Sequence, residues 1–354
     1  MLCEFFEKHG IKPQKIAVGV SGGADSLFAV LKAHEELTSL GFQVIALTVD
    51  HGLRPSSRQE ALFVADLMQK NGIEHHILCW EGTKPTQGVE EAARNARYAL
   101  IEEWCAKHGV CYVMTAHHLY DQVETFFMRL KRGSGLDGLC GMREITPLKS
   151  VRVLRPFLET DPHTFKTFLR KHDITWVEDE SNEDESLLRV QIRHFLPFFV
   201  KQTGISAEQV GQTMKRLQSS RAYFENKIQN LIKTHFRIYK DKVFCCSCEF
   251  FDVLETEIQY RLACYLIKFI SQTDYAPESE KIFTLLQKMA QENFKSGTLG
   301  HCRVIDDGNF IWFLPEIRSE MAYTKKIWRE YVSTHKELKK MKFPAAVKRF
   351  FVNH

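Results

Sequence analysis

Ile16-Ala17-Val18-Gly19-Val20 runs directly into Ser21-Gly22-Gly23-Ala24-Asp25-Ser26 and on into the periodic stretch Leu27 to Leu40. A short β-branched run, a small polar loop and a 3.6-period segment read as strand, tight turn and helix. The two glycines let the backbone turn and expose successive amides. The two serines add hydroxyls, and the helix start adds positive potential, so the loop suits phosphate. A carboxylate in such a loop repels phosphate on its own, so Asp25 makes most sense as a ligand for the Mg²⁺ that travels with a nucleotide. An ordinary strand-to-helix turn capped by Ser21 explains neither the paired glycines nor Asp25.

Working outward, apolar β-branched runs recur at Lys15 to Val20, Val44 to Asp50, Glu74 to Trp80 and Val110 to His117. Helical patterns lie between them: Leu27 to Leu40, Ser57 to Lys70 with Ser57 and Glu60 as a capping box, and Val89 to Lys107. Right-handed crossovers turn this rhythm into a Rossmann-like α/β fold, a parallel sheet covered on both faces with ligands at the carboxyl ends of its strands. The rhythm weakens after Met142. Ile145 to Phe157 reads as a strand pair, Asp161-Pro162 opens a helix, and an acidic loop runs from Glu178 to Glu185. Ser206 to Ile232 and Glu255 to Ala290 are helical in period, and His301 to Phe313 reads as a hairpin turning at Asp307-Gly308. The expected organisation is a nucleotide-binding catalytic domain over 1–205, a second, mainly helical domain over 206–316, and a short basic tail over 317–354.

Composition bounds the function classes. The chain has 354 residues with 44% hydrophobic and 26% charged, ordinary values for a globular chain, so neither disorder nor a membrane protein is suggested. No apolar run reaches the roughly 18 to 20 residues of a membrane helix. The acidic start, Met-Leu-Cys-Glu-Phe-Phe-Glu-Lys, does not suit a secretory signal, so a cytoplasmic location is expected. Ten irregularly spaced cysteines read as reduced thiols, and Cys245 and Cys248, the lone Cys-x-x-Cys, read as structural because a second pair is missing. The net charge of +4 hides an asymmetry: residues 321–354 hold nine Lys or Arg against two acids, which makes the tail a candidate polyanion contact.

Other phosphate motifs fail. There is no Gly-x-x-x-x-Gly-Lys-Ser/Thr, and the Gly-x-Gly-x-x-Gly at Gly133 to Gly138 follows the basic helix Val123 to Arg132 instead of a strand. Asp121 and Glu124, one helical turn apart just beyond the fourth strand, can face one cleft and there hold a cationic amine, bind Mg²⁺ or accept a proton. His117 and His118 end that strand; one should face the site while the other packs. Arg94 with Arg97, and Arg189 with Arg193, each present two guanidiniums to phosphate, carboxylate or RNA, with a solvated face equally open for any one of them. Arg129, Lys131 and Arg132 end their helix as RNA contacts or as ordinary charges favoured by the helix dipole.

The Ser-Gly-Gly-Ala-Asp-Ser loop resembles the PP-loop of the N-type ATP pyrophosphatases. Further strings narrow the resemblance to the bacterial tRNA(Ile)-lysidine synthases: Asp50-His51-Gly52-Leu53-Arg54-Pro55, Glu90 and Glu91 with Ala93-Arg94-Asn95-Ala96-Arg97-Tyr98, Thr115-Ala116-His117-His118 and Asp121-Gln122-Val123-Glu124-Thr125. Next come Arg132-Gly133-Ser134-Gly135-Leu136, Leu154-Arg155-Pro156, Asp179 with Ser181-Asn182, and Arg189 through Ile192-Arg193 to Leu196-Pro197. The resemblance covers about residues 15 to 197 and implies an ATP- and Mg²⁺-dependent ligase. Such an enzyme adenylates the C2 oxygen of the wobble cytidine in a tRNA(Ile) with a CAU anticodon, and the ε-amine of free lysine then displaces AMP. It implies ATP contacts from Ser21, Gly22, Gly23, Ala24, Asp25 and Ser26, and catalytic roles for Asp25, Asp121, Glu124 and Arg189, the arginine helping to form the lysine or transition-state pocket. Contacts to tRNA or substrate are implied for His51, Arg54, Arg94, Arg97, His117, Arg132 and Arg193. The chain departs from the family in two places. Tyr120 stands where an acidic residue usually precedes Asp121, and Val190 stands where an asparagine usually follows Arg189. Another PP-loop enzyme, thiolating tRNA or amidating a small molecule, and a non-catalytic tRNA-binding relative are the alternatives; the oligomeric state is open, a homodimer included.

Overall fold

The strand that opens the decisive loop is at the centre of a six-stranded sheet. In the computed structural model, which describes residues 1–178, 188–273, 276–316, 325–335 and 342–353, β1 (Lys15–Gly19) lies between β2 (Gln43–Asp50) and β4 (Tyr112–Met114). The order is β3-β2-β1-β4-β6-β5, with β3 (Glu74–Cys79) at one edge and the hairpin β5 (Ile145–Leu148) and β6 (Val151–Leu154) at the other. All neighbours are parallel except β5 against β6. β1 is apolar at consecutive positions because both faces are covered. Ile16 and Val18 join Leu27, Phe28 and Phe165 in one core, while Ala17 joins Ile45, Trp104 and Val113 in the other.

Compact packing separates Met1–Ser219 from Ser220–His354. The first unit carries α1 (Leu2–Lys8), α2 (Ala24–Leu37), α3 (Ser57–Lys70), α4 (Val89–His108), α5 (Leu119–Lys131), the short α6 (Leu136–Leu139), α7 (His163–Lys171) and α8 (Leu188–Thr203). The connection after β1 runs to β2 and the one after β4 runs the other way, to β6, so the chain leaves these adjacent strands in opposite directions. That reversal opens a crevice at their carboxyl ends.

Local details differ from the expectation in three places. β4 stops at Met114, and the backbone from Thr115 to His118 is already irregular. The helix at Ser57 has no capping box: Ser56 is the N-cap, the Ser57 hydroxyl accepts the Arg54 N–H, and Glu60 pairs with the Arg54 side chain. The short α1, too brief to show a period, is held by burial of Leu2, Phe5 and Phe6. Asp161 does open α7, its carboxylate accepting the His163 N–H at 2.9 Å.

The long helix α9 (Ala207–His235) crosses the boundary between the units. Beyond it come β7 (Arg237–Tyr239), β8 (Val243–Ser247), α10 (Cys248–Asp252), α11 (Thr256–Ser271), α12 (Ser279–Met289), β9 (Ser296–Leu299), β10 (Cys302–Asp306), β11 (Phe310–Pro315), α13 (Lys325–Thr334) and α14 (Ala345–Asn353). The expected hairpin is β10 and β11, its turn held by Asp307, which accepts the N–H groups of Asn309 and Phe310 and the Trp312 indole N–H. That hairpin is the middle of an antiparallel sheet, order β7-β8-β11-β10-β9, around which the mainly helical second unit is built. One sheet face builds a core with α11 and α12 through Phe244, Cys246, Ile311 and Phe313. The other packs Val243, Cys245 and Trp312 against Phe343, Val347, Phe350 and Phe351. The stretch expected as a tail therefore supplies half of a core.

Candidate functional site

The phosphate-type loop is arranged by its own small side chains. The Ser26 hydroxyl donates to the Gly23 carbonyl at 2.9 Å and accepts the Ser21 N–H at 3.1 Å, tying the two ends of the loop together. Gly22 has φ +91°, and a Cβ there would meet Val64 Cγ2 at 3.2 Å, so both conformation and space require glycine. Gly23 is the N-cap of α2, and no side chain caps it. The helix thus starts with amides unsatisfied by a cap, facing the crevice end of β1. Asp25 is in that first turn with its side chain 45% exposed.

Opposite stands the start of α5. Asp121 accepts the backbone N–H of His118 at 2.9 Å, which fixes its carboxylate at the helix entrance. His118 Nε2 lies 3.5 Å from a carboxylate oxygen of Asp25 and 3.5 Å from one of Asp121, so one imidazole links the loop to the acidic pair. Burial opposes protonation of His118, but hydrogen bonding to Asp25 and the charges of Asp121, Asp25 and Glu124 outweigh it and raise its pKa. Burial likewise works against the Asp121 carboxylate; His118, Arg189 and His117 reverse that and hold it below the usual range. Glu124, completely buried, shares the Arg189 guanidinium with Asp121 and takes a second bond from Arg193 Nε at 2.7 Å. The site therefore couples an exposed carboxylate beside helix amides to a buried carboxylate pair held by two arginines of α8.

A PP-loop domain family model matches residues 2–198. The chain is 33% identical over 310 residues to the tRNA(Ile)-lysidine synthase of Wolbachia pipientis wMel, covering 85% of this chain and 70% of that protein. It is 32% identical over 309 residues to the tRNA(Ile)-lysidine synthase of Hyphomonas neptunium, covering 85% and 81%. The chain belongs to the tRNA(Ile)-lysidine synthase family. As a member it is an ATP-dependent ligase built on a PP-loop domain. Among solved structures, the U34-tRNA thiolase NcsA from Methanococcus maripaludis with its 4Fe-4S cluster matches with a TM-score of 0.50 and 18% identity, covering 58% of this chain and 72% of that one. This is a likeness of fold.

With the synthase family as the frame, the remaining residues sort by contact. Of the two histidines, His118 is the one between the acids; His117 is half-buried, bonded through Nδ1 to Thr115 Oγ1 at 2.8 Å, and desolvation pushes its pKa down to about 4. His51 is also held near 4 by burial and then by Arg97, whose Nη2 is 3.4 Å from His51 Nε2. Arg94 lies over the Tyr98 ring, so Arg94 and Arg97 have separate neighbours despite their shared helix. Arg129 donates to the Gly138 carbonyl at 2.8 Å and so fastens the glycine-rich turn, which follows a helix and has no dinucleotide context. Arg132 ends α5 as its C-cap. Asp179, Ser181 and Asn182, with most of the acidic loop, lie outside the described residues.

Tyr120 is half-buried: it packs beside Val123, Leu196 and Val210 of an apolar cluster with its ring edge-on to His118 at 6.4 Å, so this departure from the family's usual acid borders both the cluster and the site. Val190 is buried; nothing in the structure explains it further. Sequence reasoning passed over Gln122 and Arg155. Gln122 is buried and bonds the Met142 backbone in both directions, at 3.0 and 2.7 Å. Arg155, also buried, bonds the Arg143 carbonyl and the Thr146 hydroxyl. Their position inside family strings was the available signal; both brace the crevice wall.

Proposed function

We propose that this chain makes lysidine: ATP adenylates the C2 oxygen of the wobble cytidine in tRNA(Ile) with a CAU anticodon, releasing pyrophosphate, and the ε-amine of free lysine displaces AMP. The observation that carries this reading is the link from Asp25 of the loop through His118 to Asp121, which shares Arg189 with Glu124. Two-step chemistry needs a polyphosphate seat and a cation seat within reach of one reacting carbon, and the two carboxylate regions supply them. Loop amides and the Ser21 hydroxyl receive phosphate oxygens, and the Ser26 hydroxyl holds the loop in shape for them. Asp25, half exposed, offers a hard carboxylate donor that suits Mg²⁺, which when bound would neutralise phosphate charge. Asp121 and Glu124 receive the lysine ammonium and supply the base its amine needs before attack, and Arg189 balances their charge until it arrives.

The second unit supplies a further tRNA contact, read by shape and phosphate. Cysteine chemistry of a thiolating enzyme has little support: burial pushes the Cys245 thiol up to about 11 and Cys248 up to about 12, and the two belong to different cores. Incubation with ATP, lysine and the cognate tRNA should give lysidine in nucleoside digests. No lysidine with any tRNA pool would overturn the reading.

A further inference from the structure

α8 has two faces with opposite tasks. Arg189 and Arg193 reach inward to Asp121 and Glu124, and Leu196 is buried. The outer face carries Phe195 and Phe198, 50% and 58% exposed, with ring centroids 6.0 Å apart. Phe195 continues inward to Phe199 at 5.9 Å and Phe199 to Phe127 at 5.3 Å, so the exposed rings are backed by a fixed aromatic row. A single exposed apolar residue means little, but two adjacent phenylalanines anchored in this way form a surface. Its charge is one-sided: the 16 residues of α8 include Arg189, Arg193, His194 and Lys201 and no acid.

Arg189 and Arg193 are paired with Asp121 and Glu124, which leaves Lys201 and His194 and no acid on the rest of the helix; exposed π faces on such a surface are the chemistry that binds unpaired bases of a polyanion. Resting on the lysidine-forming reading, we propose that Phe195 and Phe198 are a stacking platform for the unpaired bases next to the modified cytidine. An enzyme that acts on one base must take it out of the stack, which leaves its neighbours without partners.

The test uses the full chain and two probes, a tRNA(Ile) transcript and a short single-stranded oligocytidine. Phe195→Ala and Phe198→Ala should each weaken binding of both probes about tenfold. ATP binding and the salt slope should be unchanged, while Lys201→Ala should reduce that slope by about one. Phe→Leu at both positions, which keeps apolar area but removes the π face, should bind as weakly as Ala; Phe→Trp should bind like the parent. Leu variants that bind like the parent would overturn the platform, as would a parent dimer that the Ala variants dissociate, since the face would then be a protein contact. Lysidine formation by the parent is read separately. Its absence would sink the functional reading, and oligocytidine binding would still decide the platform.

Discussion

The loop after β1 and the entrance of α5 face the same crevice and are built on opposite principles. The loop is made of small residues, and its one carboxylate is half exposed, so it presents open hydrogen-bond donors to a ligand that brings its own charge. The α5 entrance buries two carboxylates and neutralises them with guanidiniums from α8. Loop amides at a surface keep water as a partner at little cost, whereas buried carboxylates need a counter-charge, and the chain supplies it with two arginines.

Substitution should split the two regions. The largest effect expected is on turnover: Asp25→Ala should lower tRNA-dependent pyrophosphate release about 100- to 1000-fold or more, with the melting temperature nearly unchanged. Unaltered turnover would remove Asp25 from the mechanism. Glu124→Ala should instead loosen the site, costing about 1–3 kcal/mol in a denaturant titration, because it removes the fully buried acceptor that Arg189 and Arg193 share, while Arg189 keeps Asp121. A cost under about 1 kcal/mol would mean that the cluster is wetter than its burial indicates.

Restoring an acid at Tyr120 sharpens the contrast within α5 itself. Tyr120→Asp should destabilise by about 1–3 kcal/mol without raising turnover, since it places a carboxylate against an apolar cluster. A gain in turnover would show that the position reaches the substrate. Tyr120→Phe should be close to silent in both measurements.

The smallest effect is in pH. His75, bonded to Thr48 Oγ1 at 2.9 Å, is pushed down to about 4 by burial and then by His76. A base whose folded pKa is depressed binds more protons when unfolded, so its contribution to stability is full above about 6.5 and shrinks as pH falls toward 4. Thermal melts across that window should lose part of their slope in His75→Gln; an unchanged slope would assign the loss to His51 and His117.

Much of the catalytic unit was legible because its signals are local. The βα rhythm, the Ser-Gly-Gly loop and the one-turn spacing of Asp121 and Glu124 need only neighbouring residues to be read. The second unit was less legible: β7 has three residues and β9 four, too short to show alternation, and both exist because β8 and β10 pair with them. The tail misled for a related reason. Its basic composition hides the apolar Phe343, Val347, Phe350 and Phe351, spaced to cover a sheet face that the sequence had not revealed. Removing the tail would expose Trp312, so its charge is better tested by Lys348→Ala with Arg349→Ala than by deletion.

By itself, the sequence determined the parallel α/β unit, the glycine-rich loop proposed to take phosphate and the one-turn spacing of Asp121 and Glu124, because periodicity and glycine placement act within a few residues. Only the tertiary structure decided which histidine stands between Asp25 and Asp121 and that Tyr120 borders an apolar cluster. It also decided that arginines 65 to 69 residues away hold Glu124 and Asp121. Those are meetings between distant segments, fixed by how α5 and α8 pack. The directions in which their side chains then point have no trace in local spacing.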